Sequence, residues 1–182
     1  HFVRADYAHA EIVSVDASRA RAHPGVLQVF TGEDAVAAGY VKAPNALSAF
    51  PGRNGMKPHV LERPVLAHRK VRFTGEAVAM VVADSAAAAA DAAELIDVQY
   101  RELPAITNGE AALAAGAPQL EDSVPGNLIF ESEAGDEAAV AEAFKQAAHI
   151  TRLKVLSTRV SPSPMEPRAA MVRFDVASGE FW

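Results

Sequence analysis

The 182-residue sequence contains no cysteine. A chain without thiols forms no disulfides, carries no thiolate nucleophile and offers no cysteine ligand to zinc or to an iron–sulfur cluster. Its histidines are also scattered, with none at the short spacings that converge on a metal ion. They are His1, His9, His23, His59, His68 and His149. The sequence therefore predicts no metal site in this chain.

Clusters of basic residues and long apolar runs are missing as well. The net charge is −6, from 17 Lys and Arg against 23 Asp and Glu, whereas phosphate binding needs clustered cations. No apolar run approaches the roughly 18 residues of a membrane span. We therefore predict neither a nucleic-acid nor a membrane partner. The lack of cysteine is compatible with the cytoplasm, where we expect the protein.

Signatures of catalysis are likewise absent. No glycine-rich phosphate loop and no Gly-x-Ser-x-Gly elbow occurs. Three carboxylates, Glu62, Glu76 and Glu166, stand near prolines or glycines at loop edges. A buried pair of carboxylates performs acid–base chemistry, but nothing in the sequence pairs these three. We therefore predict no catalytic and no cofactor-binding residue here.

What the sequence does contain is an alternation of short strands and helices over its first hundred residues. Besides a strand in the first segment, strands are predicted at Glu11–Val15, Val26–Phe30, Lys70–Phe73, Ala77–Val82 and Ile96–Tyr100, and helices at Ala17–Ala22, Glu33–Ala38 and Ala86–Leu95. Every position of Ala77–Val82 is apolar, so we expect both faces of this strand to be covered. Asp84 or Ser85 caps the helix that follows. That strand–helix–strand unit is long enough for a crossover.

The second half is less regular. We predict a long loop from Gly39 to Arg63, a first domain that ends at residue 105, a linker over 106–126 and a second domain over 127–182. Its predicted elements are strands at Leu128–Ser132, Thr151–Val155 and Ala169–Asp175, a helix from Asp136 to Ala148, and a hairpin strand at Glu180–Trp182. A hairpin strand of three residues cannot complete its ladder. The sequence also begins at His1, with neither an initiator Met nor a signal peptide. Both ends are therefore interpreted as cuts in a longer polypeptide.

Two segments are rich in conformationally restricted residues. The first runs from Glu62 to Ala67 and continues from Val71 to Glu76, with Pro64 before one strand and Gly75 before the next. The second, Ser161–Arg168, has three prolines within six residues, which force an extended path. A rigid connector and a site-lining role are both compatible with the second segment.

These segments carry a resemblance to a known family. The matching stretches are Phe2–Arg4, His9-Ala10, Ile12, Pro24–Val26, Phe30–Gly32, Arg63–Ala67, Val71–Ala79, Asp91–Tyr100, Leu103–Ala105, Gly135-Asp136, Ala143-Phe144 and Pro164–Arg168. Up to residue 105 the chain resembles the N-terminal α/β-hammerhead domain of the xanthine dehydrogenase/aldehyde oxidase family, in its carbon monoxide dehydrogenase-like branch. The later stretches resemble the entry into the first molybdenum-cofactor domain. One departure is Ser157-Thr158-Arg159, where the family pattern implies an Asn-Gln-Arg-like triplet.

The resemblance implies an α+β fold: a hammerhead domain followed by the truncated start of a molybdenum-cofactor-binding α+β domain. It implies a parent enzyme that uses molybdopterin cytosine dinucleotide with molybdenum to oxidise a small-molecule substrate. Iron–sulfur and FAD subunits and a second large subunit are the implied partners. The cofactor loop and the catalytic glutamate of the family lie beyond Trp182 in family order. This chain is then a scaffold fragment without cofactor or activity of its own.

Nine residues of the family motifs are expected to have structural or interface roles. They are Arg63, Pro64, Gly75, Glu76, Pro164, Met165, Glu166, Pro167 and Arg168. The alternative hypothesis is a standalone, non-catalytic binding or assembly module that uses the hammerhead fold. The parent gene beyond Trp182 distinguishes the two hypotheses, because a glycine-rich loop and a distant glutamate there favour the enzyme.

Overall fold

The computed structural model describes residues 1–40, 51–61, 64–157, 165–166 and 171–182. Within them the chain forms two compact units, His1–Gly135 and Asp136–Trp182. No helix in this described part has the length and hydropathy needed to cross a membrane.

Most of the regular structure lies in the first unit. The strands, in chain order, are β1 (Phe2–Arg4), β2 (Ala10–Asp16), β3 (Val26–Thr31), β4 (Lys70–Val71), β5 (Ala77–Ala83), β6 (Asp97–Glu102), β7 (Phe174–Asp175) and β8 (Glu180–Phe181). The helices are α1 (Ser18–Arg21), α2 (Gly32–Ala37), α3 (Ala86–Ala93), α4 (Gly109–Leu113) and α5 (Glu137–Gln146), with single 3₁₀ turns at Arg53–Gly55 and Pro125–Asn127. The elements predicted before residue 105 are all present, with ends shifted by up to two residues.

Two three-stranded antiparallel sheets make up the first unit. The strand orders are β1-β5-β3 and β4-β2-β6. The two strands joined by α3 therefore lie in different sheets, and the prediction of a crossover within one sheet is wrong. The reason is the position of β5: β1 and β3 occupy both of its edges, so β6 pairs with β2 instead.

The central strand β5 contributes side chains to two apolar cores. Ala79 and Val81 pack in one core with alanines of α1 and α3, while Val78 points into a second core beside Val71. Alternate side chains of a strand face opposite sides, which explains the division. The prediction that both faces of β5 are covered is correct around Val78. It is wrong at Val82, which is 37% exposed.

Short polar side chains cap the first turns of α2 and α3. The Thr31 hydroxyl accepts the Asp34 N–H, and the Asp34 carboxylate accepts the Thr31 N–H in return, which forms a capping box at α2. At α3 the cap is Ser85, whose hydroxyl accepts the Ala88 N–H at 3.1 Å. That bond decides between the two predicted caps, Asp84 and Ser85.

Residues 106–135 pack within the first unit. The Asn127 amide donates to the carbonyls of Ala112 and Pro118 and accepts the Leu120 N–H, so one side chain organises the segment. The strand predicted at 128–132 is reduced to an isolated bridge between Gly52 and Ser132. The division into domains at 105 and 127 stays a prediction.

The second unit contains α5 and the hairpin of β7 and β8. Trp182 exchanges two backbone hydrogen bonds with Arg173, so the hairpin ladder reaches the last residue, contrary to prediction. The prediction of a half-buried strand at 151–155 is wrong, because these residues form no strand and are exposed. Their alternation has no sheet to pack on within the described unit. Ala169 and Ala170 of the predicted strand lie outside the described residues.

His9 connects the start of β2 to the chain that leaves β6. Its ring is buried, and Nδ1 lies 2.8 Å from the carbonyl oxygen of Pro104. A carbonyl only accepts, so Nδ1 carries the proton. The His9 carbonyl also accepts the Leu103 N–H at 2.9 Å. Both halves of this contact lie in stretches that carried the family resemblance.

Two substitutions at residue 9 distinguish the contribution of the hydrogen bond to stability from that of the imidazole ring. The amide nitrogen of Asn superimposes on Nδ1 of histidine, so His9→Asn keeps the bond to Pro104, whereas the longer side chain of His9→Gln does not. We expect His9→Gln to lower the free energy of unfolding by about 1–3 kcal/mol more than His9→Asn. Urea denaturation of both variants measures the difference. Equal losses would show that the bond contributes nothing.

Gly32 allows α2 to approach the chain before β4. A Cβ added at this glycine would lie 2.1 Å from the Ala67 carbonyl oxygen, a backbone atom that cannot rotate away. Real Cβ atoms do not come this close to backbone, so the position requires glycine. The contact fixes α2 against residues 67–68.

We expect Gly32→Ala to lower the free energy of unfolding by about 1–3 kcal/mol, because the new methyl group forces the two segments apart. The matched control is Gly109→Ala at the start of α4, where an added Cβ meets no atom within 4 Å. That change should be neutral or stabilise by up to about 1 kcal/mol. Thermal and urea unfolding of the two variants test the pair, and a neutral Gly32→Ala contradicts the expectation.

Candidate functional site

The structure gives different surroundings to the nine motif residues. Arg63, Pro164, Pro167 and Arg168 lie outside the described residues. Pro64 is half-buried, and Met165 and Glu166 are exposed in the second unit. Gly75 and Glu76 share the turn before β5, and their contacts make up the best-defined polar cluster of the first unit.

Gly75 joins this turn to the end of β1. Its N–H donates to the Ala5 carbonyl at 2.7 Å, and its own carbonyl accepts from the Arg4 guanidinium at 2.8 Å. The glycine has a φ of +91°, which residues with a side chain rarely adopt. The turn therefore depends on glycine for its backbone conformation.

Among the residues that the structure describes, Glu76 is the one buried carboxylate. It is 8% exposed, and its Oε2 accepts the backbone N–H of Arg72 at 2.6 Å. The Arg72 guanidinium lies 3.9 Å from the other carboxylate oxygen and also forms an ion pair with Glu121. Nearby, Lys70 lies 3.5 Å from Asp122. These contacts attach residues 121–122 to β4 and to the turn.

Sequence reasoning missed the partners of Glu76. Arg72 is only four residues away, but a spacing of four indicates contact in a helix, and this segment is a turn. Glu121 is 49 residues from Arg72 in sequence, and no local pattern connects the two. The one available signal was the position of Glu76 directly after a glycine and before a fully apolar strand.

Burial controls the ionisation of Glu76. Loss of solvent raises the pKa of its carboxyl group above the ordinary value of 4.5, and the negative charge of Glu121 acts in the same direction. The hydrogen bond from Arg72 and the charge of that residue oppose the rise in the pKa without cancelling it. The folded protein therefore holds the Glu76 proton to a higher pH than the unfolded chain does.

The buried polar side chains of the described residues share one kind of contact. They are His9, Thr31 and Glu76. Each forms a hydrogen bond with a backbone group of another residue, respectively the Pro104 carbonyl, the Asp34 N–H and the Arg72 N–H. Among these described residues, no three His, Asp or Glu side chains converge as metal ligands. All three side chains therefore bind the protein's own backbone, and the His9 contact joins segments that are 95 residues apart.

A second feature of the first unit is an apolar groove on the β1-β5-β3 sheet, hereafter the outer groove. Its floor is a row of Phe2, Met80 and Phe30 on three neighbouring strands. Tyr40 and Val65 form its rim. The groove has a volume of about 580 Å³ and is lined mainly by apolar side chains, together with Gln28 and Asp34.

The raised pKa of Glu76 predicts a pH dependence of stability. Between pH 4.5 and the raised pKa the folded state binds more protons than the unfolded state, so stability falls as pH rises through this interval. Glu76→Gln keeps an acceptor for the Arg72 N–H and does not ionise. As pH rises from 4 to 7, we expect the free energy of unfolding of the variant to increase relative to that of the wild type. The increase should be about 1.4 kcal/mol for each unit by which the pKa of Glu76 is raised.

Urea denaturation at several pH values measures this difference. The matched control is Glu102→Gln, at an exposed position at the end of β6. A constant difference between Glu76→Gln and the wild type across the pH range would contradict the assignment.

Comparison with known proteins places this fold. Residues 1–104 match the family described as aldehyde oxidase and xanthine dehydrogenase, a/b hammerhead domain. The carbon monoxide dehydrogenase large chain of Afipia carboxidovorans is 34% identical over 98% of this chain and 22% of its own length. The putative xanthine dehydrogenase molybdenum-binding subunit XdhA of Escherichia coli is 38% identical over 72% of this chain and 16% of its own length.

Solved structures agree. Quinoline 2-oxidoreductase from Pseudomonas putida 86 superimposes on all of this chain and 22% of that protein's chain, with a TM-score of 0.80 and 36% identity. The Cu,Mo-CO dehydrogenase structure covers 82% of this chain and 19% of its own, with a TM-score of 0.63 and 31% identity. This chain spans about a fifth of the length of these relatives. It belongs to the aldehyde oxidase and xanthine dehydrogenase family, whose α/β-hammerhead domain its residues 1–104 form.

Proposed function

We propose that this chain is the hammerhead-bearing scaffold of the large, molybdenum-binding subunit of a molybdenum hydroxylase. The observation that carries the proposal is the use of its buried polar side chains: His9, Thr31 and Glu76 all bind backbone groups within the first unit. A domain whose buried polar side chains form hydrogen bonds with its own backbone is suited to a structural role. The reaction then takes place in the part of the polypeptide that follows.

The borders and motif roles follow from the same proposal. Residues 1–105 are the hammerhead domain, 106–126 connect it, and 127–182 begin the first molybdenum-cofactor domain. Arg63, Pro64, Gly75, Glu76 and the segment Pro164–Arg168 have structural or interface roles. The contacts of Glu76 with Arg72 and of Arg72 with Glu121 support a structural role for Glu76.

The whole protein has a cofactor and partners that this chain alone does not supply. We propose molybdopterin cytosine dinucleotide with molybdenum as the cofactor, and oxidation of a small molecule as the reaction. Relatives support a multi-subunit assembly: one is a subunit gamma of the 6-hydroxypseudooxynicotine dehydrogenase complex, and another is a nicotine 6-hydroxylase large subunit. Iron–sulfur and FAD subunits and a second large subunit complete the proposed complex, located in the cytoplasm.

Metal content and activity test this proposal. The 182-residue chain, produced in a host that makes the cofactor, should contain no molybdenum and should not reduce a dye acceptor with aldehydes or nitrogen heterocycles. The full-length protein co-produced with its partner subunits should contain about one molybdenum per large subunit and reduce the dye. Mass spectrometry of the metal and absorbance of the dye are the measurements. Stoichiometric molybdenum in the short chain, or none in the full-length complex, would sink the proposal.

A further inference from the structure

The sequence contains two Asn-Gly pairs, at residues 54–55 and 108–109. Asparagine is one of the thermally labile residues, and before a glycine it deamidates without an enzyme. The backbone nitrogen of the glycine loses its proton and attacks the side-chain carbonyl carbon. A C–N bond forms, the amide nitrogen leaves as ammonia, and the product is a five-membered succinimide ring. Water then opens the ring to aspartate or to isoaspartate, whose main chain runs through the former side chain.

The backbone conformation controls this reaction at Asn54. The ring closes only when the glycine nitrogen rotates to the same side of the asparagine Cα–C bond as the Cβ atom. Asn54 has a ψ of 30°, which places the Gly55 nitrogen nearly opposite its Cβ atom. The Gly55 N–H also donates to the Gly52 carbonyl at 3.0 Å. The native turn therefore holds the attacking nitrogen away from its target.

The turn that contains Asn54 is also attached to the rest of the first unit. The Arg53 N–H donates to the Glu131 carbonyl at 2.9 Å. The Arg53 guanidinium forms ion pairs with the carboxylates of Glu131 and Glu133, at 2.9 and 3.0 Å. Because the backbone on both sides of these contacts has to move before Asn54 can rotate, the reactive conformation requires that they break.

Asn108 lies before α4, where the chain is held less firmly. Its ψ of 153° leaves the Gly109 nitrogen a smaller rotation from the Cβ side than Asn54 requires. The Asn108 Oδ1 accepts the Ala111 N–H at 2.8 Å, but none of the five residues of α4 is buried. A Cβ added at Gly109 would meet no atom within 4 Å. Exposed segments with few packing contacts open at little cost in free energy.

We propose that Asn108 is a site of spontaneous deamidation, and that the fold protects Asn54 from the same reaction. This inference does not depend on the proposed function. Isoaspartate at position 108 lengthens the main chain by one carbon and carries its carboxylate directly on Cα, too short to reach the Ala111 N–H. The first turn of α4 then loosens, and with it the Ala112 carbonyl that accepts from the Asn127 amide. The modification therefore acts on the segment that Asn127 organises.

Timed peptide mapping of the 182-residue protein tests the proposal. The protein is incubated at neutral pH in buffer and in guanidinium chloride. Mass spectrometry and labelling by isoaspartyl methyltransferase follow both Asn-Gly pairs. In denaturant, where only local sequence acts, the two pairs should react at similar rates. In buffer we expect Asn108 to react at least about tenfold faster than Asn54, because Asn54 reacts only after a rarer opening of the fold.

Two variants serve as matched controls. Gly109→Ala adds a methyl group that hinders the attack, at a position where the fold has room for it. It should slow deamidation at Asn108 severalfold and leave the rate at Asn54 unchanged. Asn108→Asp imitates the aspartate product and retains a cap for α4. Protein aged until Asn108 is converted to isoaspartate should therefore exchange its amide hydrogens over residues 109–127 faster than Asn108→Asp does.

Several results would overturn the inference. Equal rates at the two pairs in buffer would do so, as would a faster reaction at Asn54. So would an unreacted Asn108 in buffer after the denatured sample has been converted, or an Asn108 rate that Gly109→Ala leaves unchanged. Hydrogen exchange in the aged protein equal to that of Asn108→Asp would contradict the proposed effect on α4.

Discussion

The architecture of the first unit depends on β5, a strand with two neighbours and two cores. Its alternate side chains reach both apolar clusters, with Ala79 and Val81 on one side and Val78 on the other. Because β1 and β3 occupy its edges, the chain that leaves β5 through α3 has to enter the other sheet. One apolar strand therefore determines how two small sheets come to share a single folded unit.

Around that strand, buried and half-buried polar side chains join segments that are far apart in sequence. His9 holds Pro104 across 95 residues, and the Arg72 ion pair with Glu121 spans 49. Such bonds contribute modestly when formed but are costly to break, because the partner is left buried and unsatisfied. These few contacts therefore specify which segments meet, while the two apolar cores consist mainly of alanine and valine.

Local features of the fold were predictable from sequence, and those that depend on distant partners were not. The alanine-rich helix α3 and its Ser85 cap follow from propensity and from hydrogen bonding within one turn. The sheet to which β6 belongs depends on which edges are already occupied, and a single sequence does not contain that information. The alternation of apolar and charged residues at Thr151–Val155 was misleading for the same reason. Such a pattern indicates a strand only where a neighbouring strand is available to pair with it.

The candidate polar site was also predictable in its local features but not in its distant partners. Gly75 and Glu76 stood out because a turn before a fully apolar strand restricts which residues fit there. Arg72, the partner of Glu76, and Glu121, the partner of Arg72, were not predicted, because ion pairs across a fold leave no spacing signature. The family resemblance supplied the fold as a whole, which the comparisons confirm.

The backbone pairing of residues 52–59 with 129–132 has a practical consequence for how this domain is delimited. The match to the hammerhead domain family ends at residue 104, but Arg53 and His59 bond to the carbonyls of Glu131 and Ile129. The border of that match and the border defined by packing are therefore about thirty residues apart. A shortened version that stops at residue 104 would leave Arg72 without Glu121. A chain that ends after Gly135 retains this backbone pairing and the ion pair between Arg72 and Glu121. It is therefore the better choice for producing the domain alone.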